Sequence, residues 1–355
     1  MIVSLRLQHF RSYSDARFTF DPSVNIIAGP NASGKTNLLE AVQVVALGSS
    51  YRAKDAELIA FDAPWARLDA QTQAQTRVVK LQAGPSVTKT FEIDSTPLKR
   101  LLAGRMLPMV LFEPDHLLLL GGSPDMRRAF LDDLIERTVP DFGTTRRHYK
   151  RVLAHRNALL KKAAPDVAQQ LFVWNIRLGE LGAQIARARA KLIAECNEHI
   201  SRLYTELSGR ESRVELGYLC KFDPEHYESQ LMHKLEHSLD VEIARGYTLY
   251  GPHRDDMSAS IDGRLVQEAA SRGENRTLVL ALKILELQTL ERVHDQKPLL
   301  LLDDVFSELD SERRKALTRF VQSHQTFITT TDADVLTPYF GSAKVIATTL
   351  AEPRV

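Results

Sequence analysis

Eight residues near the start of the chain have the composition of a phosphate cradle. Gly29-Pro30-Asn31-Ala32-Ser33-Gly34-Lys35-Thr36 fits G-x-x-x-x-G-K-[ST], and Asn37 follows it. A triphosphate is bulky and anionic, so it needs close backbone approach, several N–H donors and the positive end of a helix. Gly29 and Gly34 permit the tight loop, and a helix beginning near Lys35 supplies oriented N–H groups. Lys35 is expected to reach the β- and γ-phosphates and the Thr36 hydroxyl to ligate Mg²⁺, which makes ATP and Mg²⁺ the expected cofactors. The flanking pattern favours this over a chance glycine-rich turn. Val24-Asn25-Ile26-Ile27-Ala28 is a short apolar strand running into Gly29, and Leu38, Val42 and Val45 recur at helical spacing after it.

Such a loop needs a partner acid at a strand end to hold the metal through its water shell. Leu299-Leu300-Leu301-Leu302-Asp303-Asp304 provides it. Asp303 is the expected metal-side carboxylate, and Asp304 the group that orients or deprotonates the attacking water. Aspartate is one methylene shorter than glutamate, so slow, switch-like hydrolysis is predicted. Ser271-Arg272-Gly273-Glu274-Asn275-Arg276 stands before an apolar helix and offers a hydroxyl and open backbone at Ser271 and Gly273. Alone it reads as a helix cap. Two phosphate-binding helix ends far apart in sequence instead suggest one nucleotide shared by two copies of the chain.

The elements that must carry these groups point to two folded units, since 355 residues exceed the roughly 150 typical of one domain. Val3, Leu5 and Leu7 alternate with polar residues; Thr76 to Gln82 and Thr88 to Asp94 flank Gly84-Pro85 as a hairpin; Met109-Val110-Leu111-Phe112 reads as another strand. After Pro114 the pattern turns helical. Ser123 can cap a helix opening at Pro124, and beyond Pro165 apolar residues repeat at heptad spacing towards Ser208. From about 245 the α/β character returns. The expected fold is therefore α/β, an ATPase domain built from 1–113 and 245–355, with a mainly helical domain inserted at 114–244.

Charge is balanced, with 46 Lys plus Arg against 45 Asp plus Glu, which excludes nucleic-acid binding through overall basicity but not through a local surface. Arg146, Arg147, Lys150, Arg151, Arg156, Lys161 and Lys162 fall in one acid-free stretch that could lay several cations along a DNA backbone. A solvated helix face is the competing reading. His253, within Gly251-Pro252-His253-Arg254-Asp255-Asp256, is weak evidence for a metal or nuclease centre; a structured turn is the better expectation. Two cysteines and no apolar run of membrane-spanning length give a reducing, cytoplasmic expectation, and Met1 to Arg6 lacks a signal-peptide layout.

The order of these motifs, with Phe10-Arg11-Ser12-Tyr13, Gly48-Ser49-Ser50-Tyr51-Arg52, Gly122-Ser123-Pro124, Arg127-Arg128, Arg156 to Lys161 and Ser307-Glu308-Leu309-Asp310, resembles the ABC-type ATPase heads of the SMC-like family over nearly the whole chain. Within that family it is most similar to the branch acting in replication-gap repair. The resemblance implies an ATP-dependent homodimer that binds gapped or duplex DNA without sequence specificity and, with RecO and RecR, helps place RecA on single-stranded gaps. It implies that Ser271 acts in trans on the partner copy's γ-phosphate. It places Arg11 where family heads touch the nucleotide, and Thr330 and Thr331 where other ABC proteins carry a γ-phosphate-sensing histidine. Three departures stand out: Ala32 and Glu274, where relatives carry glycine and glutamine, and the absence of a glutamine between Met109 and His116. The Ala32 methyl is tolerable only at negative φ, and Glu274 only if it points away from phosphate or pairs with Arg272 or Arg276. A transporter ATPase subunit, an ATPase-coupled nuclease and a non-hydrolysing ATP-binding scaffold remain the competing classes.

Overall fold

Alternating apolar residues dominate the first hundred positions, and in the computed structural model, which describes residues 1–334, 336 and 338–348, they pair as strands. In chain order come β1 (Ile2–Phe10), β2 (Tyr13–Thr19), β3 (Val24–Ala28), α1 (Lys35–Leu47), α2 (Asp55–Leu58), β4 (Trp65–Thr72), β5 (Thr76–Gln82), β6 (Thr88–Ile93), β7 (Thr96–Leu98) and β8 (Met109–Phe112). A mainly helical region follows: α3 (Pro124–Thr138), α4 (Phe142–Lys162), α5 (Val167–Asn197), α6 (Ile200–Ser208), β9 (Val214–Leu219), α7 (Tyr227–His237) and α8 (Leu239–Arg245). The chain continues through β10 (Asp256–Ile261), β11 (Arg264–Leu265), α9 (Val266–Ala269) and α10 (Arg272–His294). It closes with β12 (Leu299–Asp303), α11 (Val305–Glu308), α12 (Ser311–Val321), β13 (Thr326–Thr330) and β14 (Lys344–Ala347).

Two compact units result: Met1–His116 with Glu286 onward, and Leu117–Leu285. The first holds an antiparallel sheet in the order β2-β1-β4-β5-β6-β7 and a parallel sheet in the order β14-β3-β13-β12-β8. Helix α1 shares one apolar cluster with strands of both sheets. That accounts for a helix buried on nearly all sides rather than along one stripe. The parallel strands β3 and β12 are mainly apolar and buried along nearly their whole length, with Asn25 and Asp303 the polar exceptions, as suits strands covered on both faces. The nucleotide motifs sit at the C-terminal ends of these strands, where open α/β sheets bind ligands.

The first strand departs from simple alternation. A bulge between Ile2 and Ser4 buries Ile2 and leaves Val3 43% exposed, so Leu5 and Leu7 share their face with Ile2, not with Val3. The second unit also extends beyond the expected insertion, to Leu285 rather than 244. The reason is strand pairing: β10 adds antiparallel to β9, with Met257 opposite Tyr218, and completes a sheet in the order β11-β10-β9. Residues 245–285, Ser271 among them, thus belong to the helical unit. Its long helical pattern breaks at His199, between α5 and α6, where the apolar register shifts.

Candidate functional site: a phosphate loop facing a hydroxyl-bound carboxylate

The loop between β3 and α1 is shaped by two glycines for different reasons. Gly34 has φ +96°, and a Cβ there would approach the Tyr13 hydroxyl at 2.8 Å. Gly29 lies against Thr348, whose backbone and hydroxyl oxygens occupy the space a side chain would need. Ala32 has φ +63°, contrary to the expectation of negative φ. Its methyl is accommodated at a cost of about 1–2 kcal/mol, because the left-handed turn presses Cβ against the following carbonyl. No side chain caps the start of α1, and no acid lies in its first turn. The first N–H groups of the helix are therefore available to an anion. Lys35 is buried and donates to the carbonyls of Gly29 (2.8 Å) and Pro30 (2.9 Å), which holds its charge inside the loop. Ser33 bonds Thr348 (2.7 Å), and Tyr13 donates to the Gly34 carbonyl (3.0 Å).

Across the loop, Asp303 ends β12 as a buried carboxylate held by three hydroxyls: Thr329 (2.7 Å) and Thr36 (3.2 Å) on Oδ1, Tyr51 (3.0 Å) on Oδ2. Two oxygens sharing an octahedral Mg²⁺ shell lie roughly 2.9 Å apart, so Thr36 and Asp303 fit a common cation. Sequence reasoning missed Tyr51 and Thr329. The only signals were Tyr51's place in Gly48–Arg52 and the period of two along β13, which turns Thr329 to the site and Thr330 away. Thr330 bonds within its own turn to Asp332, and Thr331 is exposed. Asp304 adopts φ +54° and accepts no side-chain cap role; its own N–H donates to Thr329 (2.9 Å). Burial and the neighbouring Asp303 charge raise its carboxyl above the usual aspartate range, partly offset by Lys35. That direction suits a proton acceptor.

Arg11 is drawn into a second network. It pairs with Glu40 on α1 through two hydrogen bonds (2.8 and 3.0 Å), and Ser50 and Arg52 donate to the same carboxylate. Burial alone would raise Glu40, but these donors outweigh it and hold the carboxyl below its ordinary range. Asn37 is bridged to Ser12 and Arg52. Arg11, Ser12 and Asn37 line one side of a cavity of about 630 Å³ next to the phosphate loop, a feature no motif announced.

In the second unit, Ser271 and Glu274 form a reciprocal capping box on α10. The Ser271 N–H donates to Glu274 (2.7 Å), and the Glu274 N–H donates to the Ser271 hydroxyl (3.2 Å). Glu274 thus turns back to the helix start, and the bonds to Ser271 lower its carboxyl. Gly273 lies in the first turn.

The basic stretch forms α4, and its cations divide. Arg147, Lys150, Arg151, Lys161 and Lys162 are exposed. Arg146 is half-buried and paired with Asp132, Asp133 and Glu136. Arg156 cannot meet DNA: it is fully buried, bound to Glu242 (2.6 Å), Asn175 (2.7 Å) and Thr248 (2.8 Å). It points to the apolar side of α4, one turn from Val152 and Leu160, as its spacing from those residues could have shown. His253 bonds Tyr149 (2.7 Å), and burial lowers it to about 4, so it is a neutral structural imidazole. No group of three metal-binding side chains occurs among the described residues, and none of the described helices is long and apolar enough to cross a membrane.

Comparison with known proteins identifies the relatives of this chain. Residues 1–349 match the RecF/RecN/SMC N-terminal domain model. The chain is 33% identical to the DNA replication and repair protein RecF of Acetivibrio thermocellus, covering 94% of each, and 35% identical to that of Shouchella clausii, covering 95% of this chain and 94% of the relative. Among solved structures, the recombination mediator protein RecF-ATPrS of the RecFOR pathway superposes with a TM-score of 0.83 at 29% identity, over 94% of this chain and 92% of that one. An Smc head bound to the C-terminal winged-helix domain of ScpA shares the fold, with a TM-score of 0.55 at 16% identity, covering 98% of this chain and 93% of that one.

Proposed function

The chain belongs to the RecF/RecN/SMC N-terminal domain family, and from that premise we propose that it is a DNA replication and repair ATPase of the RecF type, a recombination mediator acting in the cytoplasm. The observation that carries the reading is the meeting of Lys35, Thr36, Asp303 and Asp304 at one mouth, with Thr36 and Asp303 3.2 Å apart. ATP sits with its phosphates on the first N–H groups of α1 and on Lys35. Thr36 and Asp303 would hold Mg²⁺, which would supply positive charge beside the phosphate oxygens. Asp304 takes the proton of the attacking water while Lys35 balances the charge gathering on the γ-phosphate oxygens. The short aspartate side chain makes the step slow, which suits a switch.

Ser271 completes this site from a second copy of the chain. Its hydroxyl accepts the Glu274 N–H and keeps its own O–H to donate to a phosphate oxygen, so a nucleotide held between two copies couples the dimer to ATP. The dimer binds duplex or gapped DNA through Arg147, Lys150, Arg151, Lys161 and Lys162, and works with RecR, RecO and RecA. Sedimentation velocity of wild type and Lys35→Met with Mg-ATP, with and without labelled gapped duplex, tests this. A wild-type dimer on DNA that dissociates as ATP is consumed supports the reading. A wild-type monomer that ignores DNA reopens the transporter-subunit reading.

A further inference from the structure

Asp304 differs from its neighbour Asp303 in what grips its side chain. Asp303 accepts from three hydroxyls, whereas no group among the described residues donates to the Asp304 carboxylate. The direction of that carboxylate is therefore set by its backbone. With φ +54° and ψ 14°, the backbone lies in the left-handed region, which residues other than glycine seldom occupy. Such a conformation persists where the surroundings hold it. Two contacts do so here. The Asp304 N–H donates to the Thr329 hydroxyl at 2.9 Å, and the Ser307 hydroxyl donates to the Asp304 carbonyl.

Strand register puts Thr329 where both acids can reach it. β13 runs parallel to β12 with Thr329 opposite Asp303, and the Thr329 side chain is buried. Its bonds also fix where its proton lies. A backbone N–H can only donate, so the hydroxyl accepts from Asp304, and its single proton goes to Asp303 Oδ1, 2.7 Å away. One hydroxyl thus binds the carboxylate of one acid and the main chain of the next. Serine could make the same two bonds. Valine, close to threonine in shape, could make neither.

We propose that Thr329 is the positioning residue of the hydrolytic step: by tying the Asp304 N–H to the Asp303 carboxylate, it aims the otherwise ungripped Asp304 carboxylate at the attacking water. The inference rests on the ATPase reading above and adds to it the group that aims the base. Thr329 acts through Asp304 and not on the phosphates. A displacement of about 1 Å is enough to slow a positioned reaction by about 10²-fold, which sets the scale of what losing the hydroxyl does.

Phosphate release and ATP binding by the full chain with Mg-ATP, compared for wild type, Thr329→Val, Thr329→Ser and Asp304→Asn, test this. Thr329→Val is expected to lower kcat by about 10- to 100-fold and to change ATP affinity by no more than about twofold, while Thr329→Ser recovers most of the rate. Combined with Asp304→Asn, Thr329→Val is expected to slow hydrolysis no further, because the carboxylate it aims is already gone. In the absence of nucleotide, hydrogen exchange is expected to show the Asp304 amide exchanging faster in Thr329→Val than in wild type or Thr329→Ser. Thr329→Ala supplies a second side chain without a hydroxyl should the valine variant fail to fold. A wild-type rate in Thr329→Val overturns the proposal, as does an Asp304 amide that exchanges no faster in that variant. A serine variant as slow as the valine one also overturns it. So does a valine effect that survives in full on top of Asp304→Asn, or a loss of ATP affinity that matches the loss of rate, since Thr329 would then serve binding. A wild-type protein that does not hydrolyse ATP removes the ATPase reading and this proposal together.

Discussion

Asp303 in the first unit and Glu242 in the second are both carboxylates withdrawn from solvent, yet they are held by different chemistry. Asp303 accepts from three neutral hydroxyls, Thr36, Tyr51 and Thr329. Glu242 accepts from the Arg156 guanidinium (2.6 Å) and the Leu249 N–H (2.7 Å), with both charged partners fully buried. Hydroxyls can rotate, and they leave the carboxylate charge uncancelled, so a site built from them is prepared for an incoming cation. A buried guanidinium cancels the charge outright and fixes a shape. The same contrast separates Lys35, which rests on two carbonyls that a phosphate can replace, from Arg156, which has no role left to play at the surface.

Substitutions can break this comparison or sharpen it. The largest effect is expected from Lys35→Met, which removes the only charge inside the phosphate loop's carbonyl cradle; equilibrium dialysis with labelled ATP is expected to show binding lost, with the melting temperature little changed. Arg156→Met is expected to do the reverse. It leaves Glu242 as an unpaired buried charge at a cost of about 3–5 kcal/mol, seen as a melting temperature lower by roughly 10 °C, with ATP affinity retained. Asp304→Asn is expected to bind ATP, remain dimeric and hydrolyse about 10²- to 10⁴-fold more slowly in a phosphate-release assay. Because the Asp304 carboxyl is raised, wild-type turnover declines as the pH falls through a range above that of an ordinary aspartate, and the asparagine variant loses that dependence. The smallest effect belongs to Ala32→Gly. Relief of the left-handed alanine is expected to gain at most about 1 kcal/mol on thermal denaturation, since glycine also gives the unfolded chain more freedom.

Much of the fold was legible in the pattern. Met109–Phe112 and Leu299–Asp303 are strands as the apolar runs predict, and the hairpin pairs Gln82 with Thr88. What misled was local periodicity read without partners. Val3 shares the rhythm of Leu5 and Leu7 but is turned outward by a bulge, and Arg156 shares the charge of its neighbours but not their face. The end of the helical unit was misplaced because β10 looks like any alternating strand until it is known to pair with β9 rather than with the parallel sheet.

The sequence by itself determined where the candidate chemical groups lie. Gly29 to Thr36 and Asp303-Asp304 are short motifs whose residue types admit few other uses, and strand-loop-helix patterning places them. Only the tertiary structure decided what holds those groups and which cations remain available. Tyr51 and Thr329 converge on Asp303 from positions 252 residues before and 26 residues after it. Glu242 meets Arg156 across 86 residues. Hydrogen bonds and ion pairs act over about 3 Å in space regardless of separation along the chain, so no local reading can assign them.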